Sequence, residues 1–246
     1  MALVQKSIVA VGAALVDLLV RVEHQWLEQN GVVPGGMELS DPRRLDLLLG
    51  SISAQPEQVP GGSSCNTLVG TAQLGVRSRF VGRLGRDERG DFFRNALLQS
   101  GVEGELIFSD EPTGTVLSVI TPDAQRSMFT SLGASAGLVP SDLRPDLFRG
   151  FDLLYLEGYL APNEGFFREV YRLAQLVNTP VSLDLASFQT VQAAHALFDE
   201  MLPLTTILIA NEDEARAFTG KEPGEALEEL ARRTPIAVVK LGKEGA

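Results

Sequence analysis

From residue 151 to residue 240 the chain alternates short apolar runs with amphipathic stretches, and that rhythm leaves few folds open. "FDLLYLEG" (151–158) predicts a buried strand, and "EGFFREVYRLAQLVN" (164–178) a helix with Phe166, Phe167, Val170, Leu173, Ala174 and Val177 on one face. "PVSLDL" and "TTILIA" follow as strands, with "QTVQAAHALFDEML" helical between them. "NEDEARAFTG" reads as a short helix that Asn211 caps and Gly220 ends; a further helix covers 225–233, and "PIAVVKLG" is one more strand. Strands joined in this way by helices imply right-handed crossovers, and so a mostly parallel α/β sheet with helices on both faces.

The first half is less regular. "SIVAVGAALVDLLV" (7–20) reads as a buried strand followed by a polar turn; it is too short, and too interrupted by Asp17, to cross a hydrocarbon core of about 30 Å. Helices are expected at 66–75 and 87–101, each closed by a glycine. Residues 18–59 and 104–132 are richer in Gly, Pro, Ser and Thr and carry alternating stretches such as "TGTVLSVITPD". They predict a small β lid, set against a core domain of 1–17, 60–103 and 133–246. A lid belongs over the carboxyl ends of the strands, where open parallel sheets bind ligands.

Composition removes several function classes. With 21 Lys and Arg against 32 Asp and Glu, the formal charge of −11 argues against a phosphate-backbone binder, so no nucleic-acid partner is expected. The single cysteine, Cys65, cannot close an internal disulfide, and with only two histidines beside it no zinc-type cluster is expected. A cytoplasmic location with no membrane partner fits. No G-x-x-x-x-G-K-[ST] occurs, Gly82 and Gly85 stand at the wrong interval for a dinucleotide loop, and no G-x-S-x-G elbow is present.

"VPGGSSCNTLVG" (59–70) sets two glycines and several small polar groups just before a helix. Such a stretch lets backbone N–H groups approach a polar ligand beside a helix N-terminus. It equally suits a tight turn with Asn66 as the N-cap.

Taken in order, "VGAALVD", "PGGSSCNTLVGTAQLG", "VGRLGRDERGD", "PTGT", "ILIANEDEA" and "VVKLGKEGA" resemble the ribokinase-like (PfkB-type) sugar and nucleoside kinases over the whole chain. "MELSDP", "TPDAQRSMFTSLGAS" and "LYLEGYL" look most like adenosine kinases and their bacterial relatives. The resemblance implies a ribokinase-like fold, ATP and Mg2+ as cofactors, and transfer of the γ-phosphate to a hydroxymethyl group of an adenosine-like nucleoside. Asp17, placed at the end of the first strand, matches an aspartate that accepts from two sugar hydroxyls. Gly61, Gly62 and Asn66 match the turn that closes on the same sugar, and Tyr159 an aromatic against the base. Arg126 matches a lid arginine that neutralises the transferring phosphate. Asn211 and Glu214 match an N-x-x-E that orders magnesium and its waters, and Gly242 and Gly245 a turn lining the ATP site. Asp87 and Gly90 look structural.

The chain departs from the family pattern twice. Ala13 stands where relatives often have an asparagine, a second sugar contact. Relatives also continue into a D-T-x-G-A-G-D segment carrying the general base, which the 246 residues lack, so these residues alone are expected not to turn over. The alternatives are a kinase of ribose, fructose or a sugar acid, or a non-catalytic ligand-binding protein. The resemblance is compatible with a monomer or a homodimer.

Overall fold

The computed structural model describes residues 6–246. The chain order is β1 (Ser7–Val11), β2 (Leu15–Arg21), α1 (His24–Gln29), β3 (Gly36–Leu39), α2 (Pro42–Gly50), β4 (Glu57–Gly61), α3 (Ser63–Gln73), β5 (Arg77–Gly85), α4 (Glu88–Gln99), β6 (Val102–Ser109), β7 (Gly114–Ile120) and β8 (Arg126–Ser131). There follow β9 (Leu153–Glu157), α5 (Glu164–Leu176), β10 (Val181–Asp184), α6 (Phe188–Ala193), α7 (His195–Met201), β11 (Ile207–Asn211), α8 (Glu212–Thr219), α9 (Pro223–Ala231) and β12 (Ile236–Lys240).

Among the described residues a seven-stranded sheet runs β12-β11-β10-β9-β1-β5-β6, every neighbour parallel. The period-2 alternation divides its side chains between two helical layers. Val9 and Val11 of β1 and Leu154 and Leu156 of β9 meet Phe166, Phe167 and Val170 of α5 with residues of α7, α8 and α9. Ile8, Ala10, Phe80 and Tyr155 point the other way, onto Cys65 and Leu68 of α3 and Phe93 and Leu97 of α4. The expected parallel sheet covered on both faces is what forms.

Four boundaries differ from expectation. The apolar stretch 7–20 is two strands: β1 enters the large sheet, and after Gly12–Ala14 the chain turns into β2 of the lid. Two strands buried in different sheets read alike when no polar turn separates them. Residues 104–109, expected in the lid, instead complete β6, the edge of the large sheet; with a neighbour on one side only, this strand carries Glu103 and Glu105 and looks peripheral. α3 starts at Ser63, three residues earlier than expected, and the stretch from Gln189 is broken at Ala194 into α6 and α7.

The lid is a five-stranded sheet, β3-β8-β7-β2-β4. One face packs Val16, Leu18, Val20, Leu117, Val119 and Phe129 under Leu27 of α1 and Leu45 and Leu48 of α2. The opposite face carries Leu15, Asp17, Val116, Ser118, Arg126 and Met128. The lid joins the core at Asp87, whose carboxylate accepts from the Thr113 N–H at 2.8 Å, the Thr113 hydroxyl at 2.6 Å and the Gly90 N–H at 2.8 Å. Partial burial works against ionisation, but the bonds from Thr113 and Gly90 and the charge of Arg89 prevail and hold the carboxyl below its ordinary 3.8. A carboxylate with a lowered folded value contributes stability that is present above the ordinary value and lost as pH falls through the folded one. Asp87→Asn is therefore expected to destabilise the fold by about 1–2 kcal/mol at neutral pH. In urea titrations the gap to wild type should narrow below pH 4, and a gap independent of pH would count against this account.

Candidate active site

Because all strands of the large sheet run the same way, their carboxyl ends leave from one edge, and the polar residues closing β9 to β12 collect there: Glu157, Asp184, Asn211 and Lys240. In sheet order β1 has β5 on one flank and β9 on the other, so the chain winds away from β1 in both directions. A parallel sheet opens its ligand crevice outside such a switch point.

Glu157 sits at that point with 1 % of its surface exposed. Its carboxylate accepts from the Ala13 N–H at 2.7 Å and the Ser64 N–H at 2.9 Å. It thereby ties the β1–β2 turn to the first turn of α3 and supplies the negative charge that the helix N-terminus favours, where Gly62 has no side chain to give. Burial pushes the carboxyl up, and the bonds from Ala13 and Ser64 only partly oppose it.

Asp17 lies within β2, paired with Val59 of β4 and Val116 of β7, and not at the end of the first strand. The Gly61 backbone runs directly against its carboxylate: a Cβ there would come within 2.2 Å of Oδ1. Gly62 has φ +94, and a Cβ on it would meet the Ala13 carbonyl at 2.4 Å, so only glycine fits this turn. Gly62 is the N-cap of α3; Asn66, which the sequence also suited as the N-cap, sits one turn inside the helix, exposed, its N–H donating to the Gly62 carbonyl. Arg126 closes the other side of Asp17, with Nη2 3.5 Å from Oδ2. Burial pushes the Asp17 carboxyl up and Arg126 pulls against it. Cys65, buried in the first turn of α3, has its thiol pushed up to about 12 by burial and then by the charges of Glu157 and Asp17.

Along the rest of the edge, Asn211 and Glu214 form a reciprocal pair. The Asn211 side-chain oxygen accepts from the Glu214 N–H at 2.8 Å, and the Glu214 carboxylate accepts from the Asn211 N–H at 2.8 Å and from its Nδ2 at 2.7 Å. This is a capping box on α8, and it also plants a carboxylate at the sheet edge. Lys240 reaches over β11 to Asp184, Nζ to Oδ2 3.2 Å, while Asp184 Oδ1 accepts from the Ala186 N–H. Tyr159 is exposed just beyond β9, with its hydroxyl turned to that of Ser187; burial of the hydroxyl end pushes it up, and Glu214, Asp184 and Glu157 add to that. Gly242 and Gly245, both at positive φ, shape an exposed turn after β12 that a Leu241 N–H to Gly245 carbonyl bond closes at 2.7 Å.

The structure thus brings Asp17, Gly61, Gly62 and Arg126 into one cluster and sets Tyr159, Asn211, Glu214, Gly242 and Gly245 along the adjoining edge. Glu157, Asp184 and Lys240 were not singled out from the sequence. The available signal was a polar residue closing an apolar strand, which "LLYLE", "VSLD" and "AVVK" all show. Chemically, carboxylates on the core and the lid suit a polyol, and the cations Arg126 and Lys240 suit anionic oxygens.

A family profile described as pfkB family carbohydrate kinase matches residues 49–246. Among solved structures, the adenosine kinase from Sinorhizobium meliloti is similar at 31% identity and TM-score 0.88, over 98% of this chain and 76% of that one. Fructokinase-2 of Solanum lycopersicum is 35% identical over 96 residues, which are 37% of this chain and 29% of the fructokinase. Ribokinase of Arabidopsis thaliana is 27% identical over 211 residues, 79% of this chain and 54% of the ribokinase, so the chain spans about half or less of these two curated relatives. No helix among the described residues is long and apolar enough to cross a membrane.

Proposed function

The chain belongs to the pfkB family of carbohydrate kinases, and from that premise we propose that it binds the acceptor and ATP in a kinase that phosphorylates a hydroxymethyl group of an adenosine-like nucleoside. The observation that carries this reading is the Asp17 carboxylate pressed on the Gly61 backbone with Arg126 beside it. There an acceptor's hydroxyls can donate to Asp17 while a guanidinium waits for phosphate oxygens. Gly62 and the exposed Asn66 amide close on the sugar, and Tyr159 flanks the base. Gly242 and Gly245 line the nucleotide, with Lys240 near its phosphates.

Magnesium fits this edge through water and phosphate ligands: Glu214 is buried with both carboxylate oxygens accepting from Asn211, so its charge would act on the ion through intervening water. When bound, the ion would neutralise phosphate charge. Asn211 holds Glu214 in place for it. Catalysis in such a site is positioning and charge stabilisation, with closure of the lid excluding water.

A second reading, a sugar kinase acting on ribose or fructose, is favoured by Ala13, which leaves one contact to a nucleoside sugar unmade, and by the ribokinase and fructokinase likeness. The test is ADP release from the full-length protein, purified from the cytoplasm where we place it, with adenosine, ribose and fructose each offered with ATP and Mg2+. Adenosine is expected to give the highest kcat/KM. Higher values for ribose or fructose would replace the nucleoside reading, and ADP release unchanged by any acceptor would end the kinase reading.

A further inference from the structure

Ser118, in the middle of β7, has none of its surface exposed, yet its hydroxyl accepts from two nitrogens of one half-exposed arginine: Nε of Arg126 at 3.2 Å and Nη2 at 2.8 Å. The same Nη2 lies 3.5 Å from Asp17 Oδ2. The strand register explains the meeting. Arg126 faces Ile120 across the antiparallel β7–β8 pair, two residues from Ser118 and on its side of the sheet, and β2 with Asp17 pairs with the other edge of β7. The guanidinium therefore lies across β7, tethered at its middle and ion-paired at its far end.

Asp17 has two claimants in this arrangement, because an acceptor whose hydroxyls donate to the carboxylate competes for it with the Arg126 guanidinium 3.5 Å away. With Asp17 as its only anchor, a half-exposed arginine would then swing into solvent and regain its rotamer freedom. We infer that Ser118 is a positioning residue which keeps the Arg126 guanidinium over the cleft once the acceptor has taken Asp17, so that acceptor binding turns the arginine from a carboxylate partner into a phosphate-binding group. The inference rests on the kinase reading of the cleft for its consequence, and on the Ser118–Arg126–Asp17 geometry for its premise. It names a residue that touches no reacting atom and acts through Arg126.

Two measurements separate premise from consequence. The first follows the Arg126 Nε–H by side-chain 15N NMR, its signal identified by disappearance in Arg126→Lys, with adenosine or ribose as the probe. The expected result is slow exchange with solvent in wild type, retained when the probe is added, and fast exchange in Ser118→Ala. Unchanged exchange in Ser118→Ala overturns the tether whatever the enzyme's activity. The second is steady-state kinetics of the full-length protein. Ser118→Ala is expected to lower kcat about tenfold, the loss of a hydrogen bond to a charged group, with the acceptor KM changed less than about twofold. Ser118→Thr, which keeps the hydroxyl, should recover most of the loss, and in an Arg126→Ala background Ser118→Ala should cost nothing further. A full-sized loss in that background, or kcat at wild-type level in Ser118→Ala, overturns the inference. Melting temperatures show whether each variant is folded. If wild type phosphorylates no acceptor, the kinase reading falls while the exchange experiment still decides the tether.

Discussion

Asp17→Asn is expected to lower kcat/KM for the acceptor by about 10²–10³ while leaving the melting temperature at or slightly above the wild-type value. Two hydroxyl donors lose a charged partner, and hydrogen bonds to a charged group contribute about 1.5–3 kcal/mol each, with each 1.4 kcal/mol a factor of ten. Folding loses little, because Asp17 is a carboxylate whose ionisation burial disfavours, and its ion pair with Arg126 is to a half-exposed arginine. The pH dependence carries a sign that can be checked. Acceptor binding needs the ionised carboxylate, so kcat/KM should fall on acidification through a value above the ordinary 3.8. Arg126→Gln removes the charge that opposes the upward shift, so the acid limb should move to higher pH in that variant. Parallel activity and urea titrations decide the matter. A large loss of stability in Asp17→Asn would mean that the residue holds the lid together, and an acid limb that stays put in Arg126→Gln would mean that another group titrates.

Glu157→Ala is expected to destabilise the protein by about 4 kcal/mol, because it strands the buried Ala13 and Ser64 N–H groups at about 1–3 kcal/mol each and leaves a cavity. Urea unfolding of the two proteins measures it. Glu157→Gln keeps one acceptor and should cost less at neutral pH. The sign with pH is opposite to that at Asp87. Burial raises the folded value of Glu157, so its contribution is complete below the ordinary 4.5 and is lost as pH rises through the folded value. Relative to wild type, the glutamine variant should therefore gain stability as pH rises. A variant that instead loses ground with rising pH would show that the donors from Ala13 and Ser64 outweigh burial.

The alternation after residue 151 was legible because β9 and β10 are buried on both faces and α5 on one, so side-chain periodicity reports burial directly. α8 shows this at its sharpest: Asn211 caps it and Gly220 ends it at φ +70, both within one local stretch. Asp87 was also placed among structural residues from the sequence, though its main partner, Thr113, lies 26 residues on. Most of the edge strand β6, from residue 104 on, was read as lid because an edge half-buried against one neighbour has the composition of an accessory sheet.

The site was legible only where its parts are contiguous. Gly61 and Gly62 announce a close approach, but what approaches is a carboxylate 44 residues earlier and a carbonyl 49 residues earlier, which no local pattern records. The helix they open takes its N-terminal charge from Glu157, 93 residues beyond Ser64.

By itself, then, the sequence determined the parallel sheet, its two helical layers and the glycine turn, since propensity, capping and periodicity act over a few residues. The tertiary structure alone decided that Glu157 caps α3, that Ser118 carries Arg126 and that Lys240 answers Asp184. The physical reason is that a buried polar group takes whichever partner the packing brings within about 3 Å, and strand order sets that partner without regard to distance along the chain.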